Sequence, residues 1–332
     1  MKNSIHFIFR SVAVTSFLLI TLASCSNKRS SKPTILVFSK TSGYHHESIP
    51  TGIKAIQSLG EKNGFNVDTT TDANKFVEDS LKKYAALVFL SSTGELLSGN
   101  QEIALERYIQ AGGGFVGIHA AADAEYDWSW YVKMIGASFK SHPAQQEATL
   151  VINDKNHPST KGLPDAWKRK DEWYNFKNVS ADIKVLISID EKSYQGGENG
   201  DKHPMAWYQN FDGGRVFYTE LGHTDESYSD PLYLNHLLGG IQYAMGDNSA
   251  DYSKAHSVFA PDESHFTKTD LVTGTFFEPT ELSVLPNLDV LVVQRRGEIY
   301  LYNNNSKKIK QAGFLNVYWK TNAPGVNSEE GL

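Results

Sequence analysis

The chain has 332 residues, a formal net charge of −6, eleven histidines and a single cysteine, Cys25. Its length admits one large domain plus something extra, and its acidic balance offers no basic field to hold nucleic acid. Cys25 falls in a leader, so the folded part has no disulfide, no thiolate nucleophile and no cysteine-based zinc site.

Residues 1–25 read as a leader rather than as part of the fold. Lys2 and Arg10 precede an apolar stretch from Val12 to Leu22, and Leu22-Ala23-Ser24-Cys25 follows, the pattern of a secretion signal. That ending resembles a bacterial lipoprotein lipobox, which implies cleavage before Cys25 and lipidation of its thiol. Residues 26–32 would then be a polar tether, and the protein would be anchored to a membrane without crossing it. Ser26 after the cysteine implies, by the same resemblance, a place in the cell envelope on the outer membrane, facing the periplasm.

From 33 to 246 short apolar strands alternate with amphipathic helices. Ile35-Leu36-Val37-Phe38 is a strand, and residues 49–59 have helical spacing that Gly64 stops. A second strand is expected over 85–90, a helix over 101–109 and a third strand over 115–118. This order predicts an α/β fold with a parallel sheet covered on both faces. In such sheets ligands sit beyond the carboxyl ends of the strands. Residues 39–46, 91–97 and 119–123 would share that rim. Further strands are expected over 148–152, 184–189, 204–211 and 215–221, with Asp212-Gly213-Gly214 as a hairpin turn. Leu234, Leu237, Leu238, Ile241 and Met245 form the apolar stripe of a closing helix.

The centre of this pattern is Gly112 to Asp123, GGGFVGIHAAAD. Small residues around a strand-to-helix turn let the backbone take strained φ/ψ and expose the side chain at its apex. Here the apex residue is His119. A core histidine at a strand end is the competing reading.

Several separated motifs carry a family resemblance: Phe38-Ser39-Lys40-Thr41 with Tyr44-His45-His46, Gly113 to His119, His157-Pro158, Asp171-Glu172-Trp173-Tyr174, and Gly214 to Tyr218 with Gly222-His223. Together they resemble the ThuA-like, or trehalose-utilisation, family over about 33–246. The resemblance implies a flavodoxin-like three-layer sandwich of the class I glutamine amidotransferase type. It also implies use of a small carbohydrate such as trehalose, often beside a sugar oxidoreductase. True amidotransferases keep a cysteine at the elbow, and His119 stands there instead, so no thioester can form and glutaminase activity is excluded.

His119 and His223 could supply one base and one acid near neutral pH, with Asp123 and Asp225 as accompanying carboxylates. A sugar oxidised to a ketone has an acidified neighbouring C–H, and loss of that proton would drive elimination of the other sugar. The leading expectation is therefore acid–base cleavage or rearrangement of an oxidised disaccharide or glycoside. A lipid-anchored carbohydrate-binding protein serving an oxidoreductase is the alternative. His45, His46, Glu172, Tyr174, His142, His203 and Trp207 are candidate sugar contacts. Each also has a bland reading: solvated histidines, ordered His-Pro turns, a core tryptophan. No cofactor or metal is expected, because no short His-x-x-x-His spacing occurs; a divalent ion held by His119, His142, His203 or His223 with a carboxylate is the alternative.

After Gly246 the composition changes. Residues 247–275 read as a linker, and from 276 a strand-rich unit begins, with Arg295-Arg296-Gly297 turning between two strands. Residues 276–332 resemble the opening of a sugar-dehydrogenase β-propeller of the pyrroloquinoline-quinone or sorbosone type. About one blade is present, without the residues that would hold a cofactor, so exposed strand edges are expected.

Overall fold

The computed structural model describes residues 32–247, 250–261 and 263–319. The expected leader and the lipidation site Cys25 lie outside the described residues. The chain divides into two units, Met1–Ala260 and Pro261–Leu332.

In the first unit, β1 (Thr34–Phe38) leads into α1 (Ile49–Asn63) and then β2 (Asn66–Thr70). A short α2 (Glu78–Leu81) precedes β3 (Ala86–Leu90), and α3 (Asn100–Gln110) precedes β4 (Gly114–Ile118). Every residue of β3 and β4 is buried, as continuous apolar runs demand of strands covered on both faces. After β4 come α4 (Ser129–Ile135), β5 (Ser138–Ser141), β6 (Gln146–Ile152), β7 (Ala166–Asp171) and β8 (Asn175–Lys177). Then β9 (Lys184–Ile189), β10 (Pro204–Phe211) and β11 (Gly214–Thr219) lead to α5 (Pro231–Met245).

The central sheet has nine strands in the order β2-β1-β3-β4-β11-β10-β9-β6-β7. Pairings from β2 through β11 are parallel, and with β11 in fifth place this half has the flavodoxin strand order. The remaining pairings are antiparallel. The fold is thus a mixed α/β structure around one large sheet, as the alternation of elements predicts. The β10–β11 hairpin turns at Asp212 and Gly213, both at positive φ (46° and 94°), which suits the right-handed twist of the paired strands.

The sequence pattern misses β2, β5, β7 and β8. β2 carries mostly exposed polar residues. β7 alternates strictly, but the residues it buries are Trp167, Arg169 and Asp171, so two of its three inward residues are charged. The face that α5 buries also differs from the expected stripe. Tyr233, His236, Leu237, Gly240, Ile241 and Ala244 are buried, whereas Leu234, Leu238 and Met245 are only partly so. Small residues let the helix lie close to the sheet: a Cβ on Gly114 of β4 would fall 2.0 Å from the Ala244 carbonyl oxygen.

Residues 250–260, expected as linker, pack on the first unit. The Asp251 N–H donates to Ala111 O (2.7 Å), and the His256 and Ser257 N–H groups donate to Gln110 Oε1 at 2.8 and 2.9 Å. The second unit holds a four-stranded antiparallel sheet, β12 (Pro279–Val284), β13 (Val290–Gln294), β14 (Glu298–Asn303) and β15 (Lys308–Phe314), in sequence order. All of β12 is exposed, including Leu282 and Val284. Among the described residues one such meander forms, and no propeller ring.

Two predictions follow from the packing of α5. A Gly114→Ala variant puts a methyl against helix backbone, and overpacking of this kind costs about 1–3 kcal/mol. Its Tm should fall by about 2 °C or more; an unchanged Tm would mean that helix and strand do not approach so closely. The second concerns His236, whose Nδ1–H donates to Ser159 O (2.9 Å) while Nε2 accepts from Thr219 Oγ1 (3.0 Å). Burial pushes its pKa down to about 3, so between that value and about 6.5 only the unfolded chain binds the proton. Stability supplied by neutral His236 is therefore present above pH 6.5 and lost on acidification, by up to about 1.4 kcal/mol per pH unit. Urea unfolding at pH 7 and pH 5 should show His236→Gln less stable at pH 7 but less sensitive to acid than the parent. Parallel pH profiles would contradict this.

Candidate functional site

β4 ends in the expected elbow. His119 follows Ile118 directly and takes φ +51°, a region in which a non-glycine residue is uncommon. The segment can bend this tightly because its neighbours are small: a Cβ on Gly117 would meet Ile135 Cδ1 at 2.6 Å. The His119 side chain is wholly buried. Its Nδ1–H donates to the Glu220 carbonyl at 2.7 Å, and its own carbonyl accepts from Tyr218 Oη at 2.7 Å. The tautomer is thereby set, and Nε2 is left with a lone pair.

Three more side chains meet that nitrogen. His223, in the loop after β11, places Nδ1 3.0 Å from His119 Nε2. Glu172, just past β7, places Oε2 3.2 Å from His223 Nδ1 and 3.5 Å from His119 Nε2. His46, from the loop after β1, is buried with its ring edge-on to His119 and His223, at centroid separations of 4.9 and 5.2 Å. One ligand atom from each of the four lies within 4.8 Å of the others.

Buried Asp171 braces the group. It accepts from the N–H of Gly222 and of His223, each at 3.2 Å, and from that of Glu172 at 3.1 Å. Arg169 Nη2 and Ser227 Oγ in turn hold Asp171 at 2.8 and 3.1 Å. Gly222 has φ +114°, and a Cβ there would lie 2.4 Å from Tyr233 Oη, so no larger residue can lead the chain into His223.

The electrostatics follow from this crowding. Burial works to raise the Glu172 pKa, but hydrogen bonds and charge from His119 and His223 outweigh it and hold the carboxyl well below its usual range. Burial opposes the charged form of His223, yet Glu172 beside it leaves its pKa raised. His46 is pushed down to about 3, by burial first and then by His119 and His223. Its Nδ1 is buried with no hydrogen-bond partner, a costly condition for a polar atom. Glu220, fully buried behind His119, has its carboxyl raised well above the usual range by burial and by Asp171.

The cluster forms the floor of a pocket of about 430 Å³ lined by His46, Glu172 and His223 together with Tyr44, Asp123, Phe139, His142, Gln145 and Tyr174. His142 Nδ1 lies 3.1 Å from Glu172 Oε1. Asp123 accepts from Tyr126 Oη at 2.5 Å, and burial raises its pKa.

The sequence-derived candidates therefore divide. His46, His119, Glu172 and His223 come together, and Asp123, His142 and Tyr174 join them around the pocket. His119 itself is sealed from solvent, so it cannot touch a sugar as the expected acid–base partner. Asp225 is exposed and outside the pocket; the carboxylate that reaches His223 is Glu172. Asp123 neither caps α4, whose N-cap is Trp128, nor takes the orienting hydrogen bond of His119, which goes to Glu220 O. His45 is exposed, with Nδ1 3.1 Å from Thr41 Oγ1. His203 is buried, with its two nitrogens at 2.7 Å from Glu191 Oε1 and from the Tyr174 carbonyl, and so pins the Tyr174 backbone. Trp207 is fully buried, donating to Ile135 O at 2.8 Å and packing on Tyr218; it is core and not a sugar platform. Of the residues proposed as metal ligands, His119 and His223 meet, His142 approaches only through Glu172, and His203 is engaged elsewhere. Asp171 and Glu220 hold the site together although neither was a sequence candidate. Asp171 stood beside Glu172 in a quoted motif, whereas the backbone contact of Glu220 had no sequence signal.

The model of the ThuA family, described as trehalose utilisation, matches residues 34–244. A solved ThuA-like protein from Bacteroides uniformis ATCC 8492 is 26% identical with a TM-score of 0.57, covering 66% of this chain and 94% of its own. Another from Parabacteroides merdae ATCC 43184 is 23% identical with a TM-score of 0.56, covering 64% and 90%. None of the curated proteins compared with the chain matches it. With the family match extending from β1 into α5 and so through every strand that contributes to the pocket, the chain belongs to the ThuA, or trehalose-utilisation, family.

Proposed function

We propose that the first unit cleaves or rearranges an oxidised disaccharide or glycoside, such as a 3-keto derivative of trehalose, by acid–base chemistry and without amidotransferase activity. The observation that carries this reading is the pocket itself. Its floor gathers imidazoles and a carboxylate, and its wall adds a half-buried carboxylate, Asp123, and the rings of Tyr44 and Phe139, which suit the apolar faces of a sugar.

The step needs no external oxidant or reductant. A base removes the proton on the carbon between the ketone and the glycosidic carbon, and that electron pair becomes a carbon–carbon double bond. The glycosidic C–O bond breaks, and the departing oxygen takes a proton from an acid. The products are an unsaturated keto-sugar and a free sugar. Because His119 is sealed, the base is assigned to Asp123, whose burial raises its pKa in the direction a general base requires. His142, on the solvent side of Glu172, is assigned as proton donor to the leaving oxygen. The ketone oxygen faces the floor at His223 and Glu172.

A sugar oxidoreductase is the proposed partner, since the ketone must be made before it is consumed. A lipid on Cys25 would hold both activities at the periplasmic face of the outer membrane. The exposed ring of Tyr44 also suits the second reading, a non-catalytic carbohydrate-binding protein serving that oxidoreductase.

Asp123→Asn should lower kcat on a 3-keto-disaccharide by about 100-fold or more. Asp225→Asn, exposed and outside the pocket lining, should stay within about twofold, a surface change of the neutral kind. Parental turnover by Asp123→Asn would overturn the assignment of the base. Binding of the sugar by the parent without turnover would select the second reading.

A further inference from the structure

We infer that His46, His119, His223 and Glu172 form a binding site for one divalent transition-metal ion, of the class represented by zinc, at the floor of the pocket. The inference stands on ligand geometry and not on the sugar chemistry, so it holds whichever substrate the pocket takes.

Separation of the ligand atoms is the first argument. Bonds of about 2.0–2.1 Å in tetrahedral array put neighbouring ligand atoms about 3.3–3.4 Å apart. The three distances among His119 Nε2, His223 Nδ1 and Glu172 Oε2 are 3.0, 3.2 and 3.5 Å. Those values bracket the tetrahedral edge. A cluster held only by charge-assisted hydrogen bonds would draw nitrogen and carboxylate oxygen to about 2.7–2.9 Å.

Donor chemistry is the second. His119 gives its Nδ1 proton to the Glu220 carbonyl at 2.7 Å, the arrangement that leaves the other ring nitrogen free to bind a metal and fixes the ring's direction. His142 Nδ1 stands 3.1 Å from Glu172 Oε1, so the carboxylate turns its other oxygen to the cluster. His46 keeps a buried nitrogen, Nδ1, without a hydrogen-bond partner. Three imidazoles and one carboxylate form a borderline set that suits zinc, cobalt, nickel or iron(II) better than magnesium or calcium, which prefer oxygen throughout. Three of the four ligands face the pocket, where an ion would act as a Lewis acid toward a carbonyl oxygen.

The test uses the full chain, stripped with a chelator and dialysed against zinc or cobalt(II). One equivalent should be retained per chain, and the cobalt form should show the visible absorption of a four- or five-coordinate ion. His46→Ala and Glu172→Gln should each weaken binding by about 100-fold or more, whereas His45→Ala, next in sequence but exposed, should bind as the parent does. Circular dichroism checks the fold of each variant, and Glu172→Gln, nearly isosteric, carries the comparison if His46→Ala does not fold. No retained ion, or equal losses in His45→Ala and the cluster variants, would overturn the inference. Retention of the ion with no turnover of a keto-sugar would refute the proposed reaction and leave the metal site standing.

Discussion

Everything at the pocket depends on how His119 is held. One hydrogen bond, from Nδ1–H to the Glu220 carbonyl at 2.7 Å, joins the end of β4 to the end of β11 and aims the second nitrogen at His223, Glu172 and His46. The backbone at His119 sits at φ +51°, a conformation retained only where the surroundings over-determine it. Here they do: β4 is buried throughout and Tyr218 Oη holds the His119 carbonyl, while the small residues around the elbow leave room for the bend.

The sheet explains why four residues from distant parts of the chain meet. His46, His119 and His223 each follow a strand of the parallel half, β1, β4 and β11, and so emerge at one carboxyl edge. Glu172 arrives from the antiparallel extension, at the end of β7. The Arg169–Asp171 pair buried along β7 ties that extension to the loop carrying His223, because Asp171 accepts from the N–H groups of Gly222 and His223. An ion pair this buried is weak support for stability, but its hydrogen bonds fix where two ligands stand.

Much of this was legible in the sequence, for identifiable reasons. Continuous apolar runs marked β1, β3 and β4, and their order gave the parallel half and its rim. The glycines and alanines around His119 marked the elbow. What the pattern could not supply was which histidines would face one another. His46 looked like one of two solvated neighbours, yet a single residue separates exposed His45 from buried His46. Asp225, two residues after His223, was the expected accompanying carboxylate, but the chain enters a 3₁₀ turn there (Asp225–Ser229) and the residue is exposed. β7 was missed because its inward residues include Arg169 and Asp171, a pairing that hydrophobic periodicity cannot detect. Of the candidate sugar contacts, Trp207 follows its bland reading and packs in the core on Phe176 and Tyr218, while His203 is buried and holds the Tyr174 carbonyl.

The central claim is that these four side chains form one coordination centre at the floor of the pocket. Anomalous diffraction from crystals of the full chain grown with zinc tests it most directly. The account predicts one strong peak about 2.0–2.2 Å from nitrogens of His46, His119 and His223 and from Glu172 Oε2. A zinc-bound crystal with no peak among them, or with the ion held elsewhere and the four side chains in hydrogen-bonded contact, would contradict it.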